Sequence, residues 1–143
     1  MPAYRRIFRC EVLTPTGPVC AADAVSCVLP AWDGLMGVLG GHAPTVALLG
    51  SGRMRVEPAE GEPREFFLDG GFAYVQPTGL TVIAEECVPA EQIDREVAWD
   101  EIQQARRMPV ETDEEVAARD RALDRARERF RLAQRHRRRM VRA

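Results

Sequence analysis

The chain has 143 residues, with 45% apolar and 29% charged side chains and a formal net charge of −2. That is one domain's worth of chain, or a compact domain with an appendage, and the balance excludes disorder. No apolar run approaches the roughly 18 residues that a bilayer span needs, and the first charges come too early for a signal-peptide core. A chain on the cytoplasmic side is therefore expected.

All twenty basic residues are arginine. Without lysine there is no phosphate-binding P-loop and no Schiff-base chemistry. Two serines (Ser26, Ser51) and two histidines (His42, His136) stand in no triad-like or Gly-x-Ser-x-Gly context. Cys10, Cys20, Cys27 and Cys87 form no Cys-x-x-Cys, and no histidine pair has ligand spacing. They read as reduced thiols filling small core positions. The expectation is a non-catalytic protein with no metal and no cofactor.

Short alternating runs cut by glycine and proline fill the chain up to Val88. In Ile7–Leu13, Phe8, Cys10 and Val12 share one face and Arg9 and Glu11 the other. Thr14-Pro15-Thr16-Gly17 then turns the chain. Further strands are predicted at Ala24–Leu29, Arg53–Glu57, Glu65–Leu68, Phe72–Gln76 and Leu80–Glu85. Asp69-Gly70-Gly71 reads as one of the breaks between them, and Trp32 to His42 as a loop. The pattern predicts a small antiparallel β-sandwich or barrel over residues 1–88.

After Pro89 the glycines stop. Ala90 to Met108 spaces Ile93, Val97, Ile102 and Ala105 as an amphipathic helix, ended by Pro109. Thr112 and Glu115 form a capping box that opens a second helix, with a thin seam of Val116, Leu123, Phe130, Ala126, Ala133 and Met140. Residues 89–143 are thus predicted to be a helical hairpin, and so thin a seam predicts marginal, mobile docking.

Charge divides the hairpin. Residues 90–118 hold nine acids against three bases, a balance of −6; residues 119–143 hold eleven arginines against three acids, a balance of +8. Arg127, Arg131, Arg135 and Arg139 repeat at i, i+4, a like-charge column that costs roughly 0.2–0.5 kcal/mol per pair on an isolated helix. One reading is a solvated face suited to the helix dipole. The other is an acidic partner, because seven arginines follow Glu128 with no acid among them.

The stretch Leu29-Pro30-Ala31-Trp32-Asp33-Gly34-Leu35-Met36-Gly37-Val38-Leu39-Gly40-Gly41-His42-Ala43-Pro44 closely resembles the signature of the epsilon subunit of F-type ATP synthases. Thr14–Gly17, Leu48–Gly52, Gly70-Gly71-Phe72 and Leu80–Glu85 resemble other family motifs in the same order. The resemblance implies an N-terminal β-sandwich that binds the gamma subunit and rests on the membrane c-ring. It also implies a C-terminal hairpin able to extend toward the alpha and beta subunits and restrain ATP hydrolysis. Such a chain is a rotor part on the cytoplasmic face of the membrane, coupling ion flow to ATP synthesis and touching the membrane only through its complex.

Carried over residue by residue, Trp32, Leu35 and His42 become contact candidates for gamma or the c-ring. Gly34, Gly37, Gly40 and Gly41 become positive-φ turn positions. Arg127, Arg131, Arg135 and Arg139 become the regulatory column. One family motif departs: Ile93-Asp94-Arg95-Glu96-Val97-Ala98 has valine where the nucleotide-linked pattern has arginine. Asp94 is the remaining nucleotide-binding candidate, and the sequence predicts weak or absent ATP binding. A nucleic-acid adaptor using Arg129–Arg142 is the alternative; the acidic pI near 5.8 counsels against it. A free-standing β-sandwich enzyme is disfavoured by the missing chemistry.

Overall fold

The computed structural model describes residues 6–143; the reading of the first residues as lacking a leader falls mainly on residues 1–5, outside the described part. Seven strands precede two helices: β1 Phe8–Thr14, β2 Gly17–Ala31, β3 Gly34–Leu39, β4 Thr45–Leu48, β5 Ser51–Pro58, β6 Arg64–Gln76 and β7 Gly79–Pro89. A 3₁₀ turn at Ala90–Gln92 leads to α1, Arg95–Arg106, and α2, Asp113–Arg142. Two compact units result, Met1–Pro89 and Ala90–Ala143. The β-sandwich followed by a helical pair is the architecture the sequence predicts.

The sandwich owes its two layers to long strands that change partners midway. The first half of β2 pairs with β1, while its second half pairs with β3 and β5. In β6, Arg64–Asp69 pairs with β5, and Phe72–Val75 pairs with β4. β7 runs antiparallel beside β6 along both halves and also pairs in parallel with β1. One layer is therefore β3, late β2, β5, early β6 and late β7; the other is early β2, β1, early β7, late β6 and β4. Between them lies a core that includes Phe8, Leu29, Met54, Phe66, Leu68, Leu80 and Val82, each at most 2% exposed.

Several boundaries differ from the sequence reading, each for a physical reason. Asp69-Gly70-Gly71 does not break the chain: β6 passes through it with its register to β7 unchanged on either side. Gly70 and Gly71 take φ of +70° and +110°, which lets the strand bend from one layer to the other. A Cβ at Gly71 would strike the Ile83 carbonyl and lie 2.9 Å from the Ala84 Cα, so β7 passes too close for any side chain.

The segment read as a loop from Trp32 to His42 is mostly β3, an edge strand joined to β2 by a two-residue turn at Trp32-Asp33. β4, Thr45–Leu48, is a strand beyond those the sequence predicts. Of the four glycines assigned to positive-φ turns, Gly34 and Gly41 adopt such angles; Gly37 and Gly40 do not. Gly40 is required on another ground, because a Cβ there would collide with the Arg6 carbonyl.

The helical unit starts later than periodicity suggests. α1 begins at Arg95, capped by Asp94, whose carboxylate accepts from the Glu96 and Val97 amides at 2.8 and 3.2 Å. Ala98, Ile102 and Ala105 form its buried stripe, and Val97 is half exposed instead of lining it. The capping box at Thr112 and Glu115 is formed in both directions and opens α2. In α2 the buried residues are Ala126, Leu132 and Ala133, whereas Met140 is exposed. Leu132 lies off the heptad seam, because the buried arc of this helix is wider than an a/d stripe.

Candidate functional site

The outer face of the β1, β7, β6 and β4 layer is where apolar side chains escape the core. Strand alternation puts Ala73, Val75, Val82 and Val12 inside, and so sends Phe72, Tyr74, Ile83 and Leu13 outward. The register aligns them: Leu48 stands opposite Phe72, Phe72 opposite Ile83, and Leu13 beside Ile83. This row of four crosses four strands, and each member is 40–49% exposed. Val46, opposite Tyr74, extends it at 64% exposed.

Toward the other end the same face turns polar. Arg9 lies 3.7 Å from Glu11 and 3.3 Å from Asp23 in ion pairs open to solvent. An apolar patch with a charged margin, laid on a flat sheet, has the anatomy of a protein-binding surface. Strand alternation in the sequence does not disclose this row, because Phe72–Val75 is apolar at inward and outward positions alike.

The three contact candidates carried over by resemblance do not form one cluster. Trp32 sits on the β2–β3 turn, 77% exposed, and its amide donates to the Leu48 carbonyl at 2.9 Å. That bond seats the tryptophan backbone beside the apolar row. Leu35, at the start of β3, is 74% exposed. His42 follows the far end of β3, six residues of strand away, or roughly 20 Å. Its Nδ1 lies 2.7 Å from the Ala43 carbonyl, as donor, and the Gly41 amide donates to Pro77. His42 thus belongs to the opposite end of the layer, with exposed Leu39.

In the helical unit, Arg127, Arg131, Arg135 and Arg139 are all exposed. Arg131 pairs with Glu128 at 2.6 Å, and Arg129 joins the helices through Glu101 at 3.5 Å. Trp99 packs on Phe130 at a centroid distance of 5.5 Å, and the Arg95 guanidinium lies 6.0 Å from the same Phe130 ring. Asp94, the nucleotide candidate, spends its carboxylate on capping α1.

The cysteines are all buried free thiols. Cys10 bonds to Cys20, which favours its thiolate, but its bond to Cys27 and its burial outweigh this and push the thiol up to about 12. The bond to Cys10, then burial, push Cys20 far up; burial takes Cys87 to about 12. At neutral pH these are protonated, inert core groups. Among the described residues no three His, Cys, Asp or Glu side chains are placed to hold a metal ion.

The "ATP synthase, Delta/Epsilon chain, beta-sandwich domain" family model matches residues 7–90, the whole described sandwich apart from Arg6. The ATP synthase epsilon chain of Rhodopirellula baltica is 34% identical over 126 residues, covering 88% of this chain and 98% of that one. The chain belongs to the ATP synthase delta/epsilon chain family.

Among solved structures, a chain of the Euglena gracilis mitochondrial ATP synthase (OSCP/F1/c-ring) superposes with a TM-score of 0.77 at 24% identity. It covers 85% of this chain and 78% of that one. A chain from the Tetrahymena thermophila mitochondrial ATP synthase central stalk and c-ring has a TM-score of 0.70 at 10% identity, covering 90% and 98%. These are likenesses of fold. For a member of the delta/epsilon family, the outward apolar row becomes the leading candidate site, and no helix among the described residues is long and apolar enough to cross a membrane.

Proposed function

We propose that this chain is a non-catalytic central-stalk subunit of an F-type ATP synthase, held on the rotor by its sandwich and restraining ATP hydrolysis through α2. The observation that carries the reading is the apolar row Leu13–Ile83–Phe72–Leu48 on an outer sheet face. It is a flat, part-exposed surface suited to permanent burial against gamma. Trp32 and Leu35, on the β2–β3 hairpin, are anchors for the c-ring, and His42 with Leu39 extends the contact at the far end of β3. In this role the chain is peripheral on the cytoplasmic face and couples ion flow to synthesis without chemistry of its own.

The regulatory part rests on charge. α2 is 30 residues long, about 45 Å, a reach sufficient to span from a rotor foot toward alpha and beta. Exposed arginine pairs contribute only roughly 0–1 kcal/mol in water. Against an acidic, partly desolvated surface of beta the same column gains more, which shifts a hairpin equilibrium by differential affinity.

The test is reconstitution with cognate alpha, beta and gamma. The sandwich fragment 1–88 is expected to bind gamma, and removal of 90–143 to raise ATP hydrolysis. The variant R127Q/R131Q/R135Q/R139Q is expected to assemble normally and hydrolyse faster than wild type, with the wild-type restraint fading as salt rises. Equal rates at low salt, in complexes shown to contain the subunit, would reduce the column to a solvated face. A folded fragment without affinity for gamma would refute the rotor assignment of the sandwich.

A further inference from the structure

β3 ends its layer: β2 pairs with one side of it, and among the described residues no strand pairs with the other. The turn at Trp32-Asp33 makes Ala31 and Gly34 a hydrogen-bonded pair. Alternation then turns the amides and carbonyls of Met36 and Val38 toward β2, and those of Leu35, Gly37 and Leu39 toward the open edge. The Pro30 carbonyl fits the same phase, since it accepts from the Gly50 amide at 2.8 Å on the side of β2 away from β3. Of the outward groups, the Leu39 carbonyl accepts from the His42 amide at 3.2 Å.

Exposed edges are commonly guarded by lysine, proline, a bulge or an inward charge. β3 has none of these. Residues 34–41 read Gly-Leu-Met-Gly-Val-Leu-Gly-Gly, without charge or proline, and the register to β2 runs unbroken from Gly34 to Leu39. Leu35 and Leu39 are 74% and 63% exposed, on the same side of the strand as Gly37.

The residue order is also symmetrical about Gly37. Glycine, leucine and a bulky apolar residue precede it; a bulky apolar residue, leucine and glycine follow. A second copy laid antiparallel on the edge, with a two-fold axis at Gly37, sets Leu35 against Leu39, Met36 against Val38 and Gly37 against itself. Four backbone hydrogen bonds become available. Two join the Gly37 pair, and two run from the Leu39 amides to the Leu35 carbonyls, so none needs the carbonyl that His42 occupies. An arbitrary strand would match the hydrogen bonds but not the two leucine pairs.

We propose that β3 is a homodimerisation edge, at which two copies of this chain join through antiparallel β3–β3 pairing centred on Gly37. A single strand pair falls short of the roughly 1,000 Å2 of a stable complex. The dimer is therefore weak, with a Kd on the order of 10–100 μM. On the rotor reading Leu35 and Leu39 meet the c-ring, so self-pairing belongs to the unassembled chain and ends on assembly. The dimer itself does not depend on that reading.

The experiment is sedimentation velocity of the full chain from about 5 to 500 μM, a range that brackets this affinity. Gly37→Lys and Gly37→Glu run alongside, with Phe72→Ala as the test of the other apolar face. A Cβ at Gly37 meets nothing within 4 Å and its φ is not positive, so the single chain accommodates either charge. In the dimer the same substitution sets like charges together on the axis. Wild type and Phe72→Ala are expected to shift from monomer to dimer with concentration, and each Gly37 variant to dimerise at least tenfold more weakly. An equimolar mixture of Gly37→Lys and Gly37→Glu is expected to recover the dimer. A wild-type chain still monomeric at the highest concentration would overturn the proposal, and c-ring binding by that monomer would assign the edge to the c-ring alone. Self-association unchanged in the folded Gly37 variants, lost in Phe72→Ala, or not recovered on mixing would overturn it as well.

Discussion

Replacing Phe72 by alanine separates a binding role of the outer sheet face from a packing role. A phenylalanine buries roughly 150–250 Å2 when fully enclosed. At 48% exposed, Phe72 leaves about 100 Å2 for a partner to cover. At about 25 cal/mol per Å2 that is a ceiling near 2.5 kcal/mol. Alanine keeps its Cβ in the interface, so a loss of about 1.5–2 kcal/mol in gamma binding is expected, or about 10–30-fold in Kd. Ile83 is a cross-strand neighbour of Phe72, so Ile83→Ala combined with Phe72→Ala is expected to be non-additive.

Stability moves much less, by about 1 kcal/mol or under, because the side chain already stands half in water. Arg9→Gln, on the polar end of the same face, is expected to change Kd less than twofold and to act on the association rate. The assay is titration of purified cognate gamma, with urea denaturation of each variant alongside. A folded Phe72→Ala protein whose Kd for gamma stays within twofold of wild type would refute the reasoning.

Gly71→Ala is expected to cost about 3 kcal/mol or more of unfolding free energy in urea, since left-handed strain adds to collision with the Ile83 carbonyl. Gly61→Ala, also at positive φ but with open space around it, is expected to cost only about 1–2 kcal/mol. The thiols of Cys10 and Cys87, raised from about 9 to about 12, contribute stability that is complete below about pH 9 and lost as pH climbs toward 12. Each contributes a fall of about 1.4 kcal/mol per pH unit there, so the melting temperature should drop above pH 9, and less steeply in Cys87→Ala. Asp94→Ala removes the acceptor of two amides and is expected to weaken α1 by about 1 kcal/mol, seen as reduced helicity on heating.

What was legible in the sequence was local. The Thr14–Gly17 turn and the Thr112–Glu115 capping box are defined by neighbours a few residues apart, and the shift from period two to helical spacing at Pro89 is a matter of composition. What was hidden depends on distant partners. Gly70-Gly71 looks like a break until β7 is seen holding the strand in register across it. β3 looks like a loop because glycine disfavours strands, and only its pairing with β2 overrides that. Alternation in Phe72–Val75 could not reveal which face meets solvent, since both are apolar. In α1, Val97 and Ala98 are adjacent, and burial chose the smaller residue. The Trp32, Leu35 and His42 set mixed two ends of one strand, because sequence closeness along an extended strand still means distance in space.

The parallel pairing of β1 with β7 has a mechanical consequence. β1 opens the sandwich and β7 closes it, with Arg9 to Leu13 laddered against Gly79 to Ile83 in the same direction. A pull applied between the N-terminal end of β1 and the Pro89 exit slides these strands past one another. Their hydrogen bonds are then loaded together in shear, whereas an antiparallel hairpin pulled from its open end unzips one bond at a time. A load passed through the helical unit reaches the sandwich at Pro89, and so meets the ladder in its stiffest direction.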